Sequence, residues 1–134
     1  MTTVSSQASG DILVYLKLFE MATTPEMRAA RTWMLTEFAT ADFESFRQQY
    51  PTGSPEWRRF TDVCNIMELF GVLLKHDKVE EDLLFDLFGG IEVLWEAASA
   101  VIPGMRSAID ARLYENFELL HRRATPAPRH RLES

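Results

Sequence analysis

The stretch Ser54–Leu74, SPEWRRFTDVCNIMELFGVLL, decides the fold. Ser54 is a helix-capping residue, Pro55 suits the first helical position, and Glu56 faces the positive end of the helix dipole. Trp57, Phe60, Cys64, Met67, Gly71 and Leu74 then recur at alternating steps of three and four, the period of one buried helix face. His76-Asp77-Lys78 is a polar break short enough to send the chain back on itself.

The same grammar extends outward in both directions. Upstream, Thr24-Pro25-Glu26 predicts a second helix start, with Met27, Ala30, Met34 and Phe38 on its inner face. Asp42 predicts the cap of a short turn carrying Phe43 and Phe46, closed by Tyr50-Pro51. An N-terminal helix is expected from Asp11 to Met21, with Ile12, Leu16 and Phe19 on one stripe. Downstream, Leu84, Leu87, Ile91, Leu94, Ala98 and Val101 hold one helical phase across Gly89-Gly90 and so predict a single helix from Val79 to Val101, kinked at most. Pro103-Gly104 turns the chain into a last helix from Met105 to His121, with Met105, Ile109, Leu113, Phe117 and Leu120 inward. No run has a period of two. The expected fold is all-α, an up-and-down bundle of four main helices plus an N-terminal helix. Gly71 and Gly89-Gly90 suggest a close crossing of the two longest helices, with a kink that opens a ligand pocket as the alternative.

Composition supports one globular domain: 134 residues, 46% hydrophobic and 25% charged. The net charge of −6 and pI near 5.0 argue against nucleic acid as a partner. The expected organisation is an unstructured lead over 1–10, the bundle over 11–122, and an unstructured basic tail over 123–134 that carries Arg123, Arg129 and Arg131. The segment from Ile12 to Met21 is interrupted by Lys17 and Glu20 and is about half the ~20 residues of a spanning helix, so no membrane insertion is expected. A lone cysteine and the lack of a secretory leader pattern give a cytoplasmic expectation.

Motifs with chemistry are scarce. Glu118-Leu119-Leu120-His121 matches one Glu-x-x-His unit of a di-iron bundle, but histidines at 76, 121 and 130 alone do not complete such a site. Cys64 lies on the apolar seam and reads as a core residue. Trp33, Trp57 and Trp95 fall in phase with core positions. There is no nucleophile elbow, phosphate loop or dinucleotide fingerprint. The expectation is therefore no metal, no cofactor and no catalysis; a hydrolase or transferase using Glu68 with Asp82 or Asp86 is the least favoured reading. One polar pair stands out. Asn65 and Glu68 lie three apart within a dense apolar run, either on the solvent side or in a buried network with Arg106 or Arg112 from the last helix.

The segment Asn65–His76 (NIMELFGVLLKH), then Val79–Phe85, Trp95-Glu96 and Tyr114–Glu118 (YENFE), resembles a bacterial helical family known only as a domain of unknown function. The likeness spans about Ala30 to Leu120. It implies a helical fold and no assigned reaction. Relatives commonly carry an N-terminal membrane helix, a feature this sequence does not show.

The function expected from these readings is a non-enzymatic interaction or regulatory module that pairs with itself or with another protein. Leu13, Tyr15 and Leu18 in the first helix and Phe85 and Phe88 in the fourth are the expected contact residues, because both helices are apolar on more than one face. The alternative is a small-molecule binder with a pocket near Asn65, Glu68 and the Gly89-Gly90 kink.

Overall fold

The structure is a computed structural model that describes residues 2–124, with side chains described from residue 12 onward. Among the described residues it holds eight helices and no strand. In chain order they are α1 (Thr2–Ala22), α2 (Pro25–Thr36), α3 (Phe43–Gln49), α4 (Pro55–Lys75), α5 (Glu81–Leu87), α6 (Ile91–Ala98), α7 (Ile102–Ala108) and α8 (Glu115–Ala124).

The starts at Thr24, Asp42 and Ser54 are built as their residues dictate. The Thr24 Oγ1 accepts from the Met27 amide at 3.1 Å, the Asp42 carboxylate from the Ser45 amide at 2.8 Å, and the Ser54 Oγ from the Trp57 amide at 3.2 Å. At the other end of α4, Asp77 adopts a left-handed backbone with φ 58°. The Asp77 and Lys78 amides then donate to the Leu74 and Leu73 carbonyls, which ends the helix without a glycine.

α4 is the central element, and α8 and α2 pack most extensively on it. Its seam is as the spacing predicts: Phe60, Cys64, Met67, Gly71 and Leu74 are buried, and Trp57 is partly so. Around its start, Trp33, Phe38, Phe46, Tyr50, Trp57 and Phe60 form one aromatic cluster, with ring centroids 4.7 to 5.9 Å apart in the close pairs.

Three boundaries differ from the sequence reading. α1 starts at Thr2, well upstream of Asp11, because residues 2–10 are too polar to register in an apolar pattern. The helix expected over Val79–Val101 is broken into α5 and α6. Gly90 takes a left-handed φ of 79°, which ends the helical path, and Leu87 is left exposed despite its correct phase. The last helix is likewise split. α7 ends at Ala108, Ile109 turns outward, and Tyr114 is left-handed with φ 59° ahead of α8. After α4 the chain thus forms four short helices, α5 to α8, in place of the two long ones expected.

Candidate functional site

Three residues of α4, at i, i+3 and i+6, receive the first turn of α8. Asn65 accepts a hydrogen bond from the Tyr114 hydroxyl at 3.2 Å. The Glu68 carboxylate accepts from the Asn116 amide at 3.1 Å, the Phe117 amide at 2.9 Å and the Asn116 Nδ2 at 2.8 Å. Gly71 lies so close beneath Asn116 that a Cβ placed on it would sit 1.9 Å from the Asn116 carbonyl oxygen. A helix start leaves backbone amides without internal partners, and the residue before α8 is Tyr114, whose side chain is turned to Asn65. Glu68 supplies the missing acceptor from another helix and places a negative charge at the positive end of the α8 dipole.

This corrects the arginine network. Arg106 donates from Nε to the Leu113 carbonyl at 2.8 Å. Its Nη2 lies 3.0 Å from Glu118, within ion-pair distance but off the line of a hydrogen bond. Arg112, exposed ahead of α8, pairs with Glu115 at 2.6 Å. Neither arginine pairs with Glu68, because two backbone amides and the Asn116 amide group occupy the carboxylate instead. Glu68 is half-buried, whereas Asn65 keeps an exposed edge. Beneath them Cys64 is fully buried, and burial, reinforced by the Glu68 charge, pushes its thiol pKa well up. The buried Tyr114 hydroxyl is raised for the same first reason.

α8 runs in the same sense as α4. Its start faces Asn65 and Glu68, and at its far end Arg123 pairs with Glu81 at 2.9 Å, beyond the last turn of α4. Between these points Trp95 of α6 packs edge-on against Phe117 at 5.0 Å and stacks on His121 at 5.7 Å.

The pocket expected around Asn65, Glu68 and the glycines is not assembled. Asn65 borders an apolar depression with Met21, Met27 and Ile66, while Gly89 lines a separate cleft with Met67 and Phe70. Positions 65 and 67 point to nearly opposite sides of a helix, so one pocket cannot hold both neighbourhoods. The close crossing at Gly71 is made with α8; Gly89 has open space around it. Asp82 and Asp86 are exposed on α5.

The expected contact residues divide. Leu13 is exposed, but Tyr15 and Leu18 are buried within the chain, and Phe85 and Phe88 are half-buried. The inward stripe of α1 is Tyr15, Leu18 and Ala22, fixed because the Tyr15 hydroxyl accepts from the Glu80 amide at 2.6 Å and Arg31 donates to the Ala22 carbonyl. The other stripe therefore faces out: Ile12, Leu13, Leu16 and Phe19 are 52%, 67%, 60% and 46% exposed. Both stripes are apolar, so spacing alone did not separate them. The basic tail beyond Ala124 lies outside the described residues.

The fold and junction define a class: an all-α domain whose central helix carries an Asn-x-x-Glu-x-x-Gly face that docks and caps the last helix. The chain belongs to the family described as Domain of unknown function (DUF4760), whose model matches residues 7–124. No curated protein and no solved structure matches the chain. The resemblance read from Asn65–Glu68 and Tyr114–Glu118 is therefore to the correct family, and those two segments meet in space. No described helix is long and apolar enough to cross a membrane.

Proposed function

We propose that this domain works by association, not catalysis, and that its partner is a second copy joined along the outer stripe of α1. The observation that carries the reading is the contiguous exposure of Ile12, Leu13, Leu16 and Phe19 on one helix. A helix apolar on both sides asks for cover on both sides, and among the described residues the body covers the Tyr15–Leu18–Ala22 side and, through Phe88, one edge of Phe19. The charges interleaved with the stripe, Lys17 and Glu20, pair with each other at 2.9 Å and so leave a near-neutral strip that suits a like strip. Absence of catalysis is supported by the engagement of the conspicuous polar pair, since Asn65 and Glu68 are taken up in holding Tyr114, Asn116 and Phe117.

Cysteine trapping tests the pairing. Cys64 is buried, so a Leu16→Cys variant presents one accessible thiol. Under mild oxidation it should form a disulfide-linked dimer, whereas a cysteine at exposed Arg58 on α4 should not. Equal and slow cross-linking of both variants would refute the pairing.

A further inference from the structure

A cleft of about 170 Å³ lies between α1, α2, α4 and the elbow joining α5 to α6. Its floor is hydrocarbon: Met67, Phe70, Ile91 and Leu94 are all buried. Its rim is Phe19, Leu87 and the open Gly89, so the mouth is at the elbow where the helix breaks. Phe88 forms a side wall, packed on Phe70 with centroids 4.7 Å apart.

Among the described residues, the one charged residue lining the cleft is Arg31. Its guanidinium donates to the Ala22 carbonyl and makes no ion pair among the described residues. Five N–H donors project from an arginine in a planar fork, so most of them are left for another acceptor. Burial, together with the like charge of Arg28, pulls the Arg31 pKa below its ordinary value, the mark of a cation that lacks a nearby anion. The cleft beside Arg28 and Arg59 differs in that two carboxylates, Glu37 and Glu56, line it as well.

We propose that this cleft binds a small apolar monocarboxylate, an aryl or short-chain acyl acid, with its carboxylate on Arg31 and its hydrocarbon against Met67, Phe70 and Ile91. An apolar cavity of ~150 Å³ accommodates benzene, so a space of 170 Å³ takes one ring or a short alkyl chain and no more. The carboxylate is selected because a guanidinium binds it through two parallel hydrogen bonds, and the apolar floor rejects a second charge. The site is separate from the outer stripe of α1, apart from the shared rim residue Phe19.

Calorimetric titration of the full chain with benzoate and hexanoate, each beside its uncharged counterpart benzyl alcohol or hexanol, tests the site. Saturable binding of the acids, about tenfold or more tighter than of the alcohols, is expected from a charge-assisted contact. Arg31→Gln should remove that preference and Arg31→Lys should keep part of it. Gly89→Leu, whose added Cβ meets no neighbour at the open mouth, should weaken acids and alcohols alike. Equal affinity for acids and alcohols in the unaltered protein, unchanged acid binding in Arg31→Gln, or no saturable binding of benzoate or hexanoate overturns the proposal. The comparison of acid with alcohol needs no variant, so a misfolded Arg31→Gln does not protect it.

Discussion

Replacing Glu68 by alanine removes three accepted hydrogen bonds at once, two of them from backbone amides in the first turn of α8. Loss of a helix N-cap costs about 0.5–2 kcal/mol, and a buried hydrogen bond to a charged group contributes about 1.5–3 kcal/mol net of its exchange with water. Glu68 is half-buried, so water reaches part of the vacated site and the sum does not apply in full. The expected loss is about 2–3 kcal/mol, or roughly 10 °C in Tm for a domain of this size. Glu68→Gln keeps one acceptor oxygen but not the charge, and should cost about half as much. Urea melts followed by far-UV circular dichroism give the free energies. Tryptophan fluorescence follows the same region through Trp95, which packs on Phe117. Amide exchange adds a local readout, because Asn116 and Phe117 should lose protection in the variant more than Met67 does. A Glu68→Ala protein within about 0.5 kcal/mol of the original, with Phe117 still protected, would refute the capping argument.

Gly71→Ala places a methyl against the Asn116 backbone, so α8 must move; the expected cost exceeds about 3 kcal/mol by urea melts. The elbow glycines should behave oppositely. Gly90→Ala forces a left-handed φ of 79° on a residue with a Cβ and should cost about 1–2 kcal/mol, while Gly89→Ala, in open space, should be neutral or stabilising by up to about 1 kcal/mol. Cys64 and Tyr114 both have raised folded pKa values, so their stabilisation is complete below the unfolded values of about 8.5 and 10 and is lost as pH rises toward the folded ones. Stability should hold to about pH 8 and fall above it, with a shallower alkaline decline in Tyr114→Phe. A decline of the same slope in that variant would remove Tyr114 from the account.

Helix starts were the most legible feature of the sequence, because Thr24, Asp42 and Ser54 act on their own next turn and need nothing distant. The α4 seam was equally plain. Helix ends after position 79 were not, since phase is blind to a backbone that leaves the helical path and returns to it, as it does at Gly90. The polar pair Asn65 and Glu68 was visible as a pair, but its partners were not. Backbone amides of Asn116 and Phe117 have no side-chain signature, whereas arginines do, so the sequence offers only a solvent-facing pair or a network with Arg106 or Arg112. The available signal was Tyr114, an unsuitable capping residue directly before a helix that begins Glu115-Asn116. In α1 the sequence offers two apolar stripes, and only the contacts of Tyr15 with Glu80 and of Ala22 with Arg31 decide which one turns inward.

Light scattering of the full chain across a dilution series from hundreds to a few micromolar, beside a Leu13→Glu, Leu16→Glu double variant, tests pairing through the outer face of α1 most directly. Both positions are exposed, so the substitutions leave the core intact and the melting temperature close to that of the unaltered protein. The unaltered protein should move toward twice its 15.4 kDa at the high end, and the variant should stay at one chain throughout. One chain's mass for the unaltered protein at every concentration, or a dimer that the two glutamates leave untouched, would contradict that pairing.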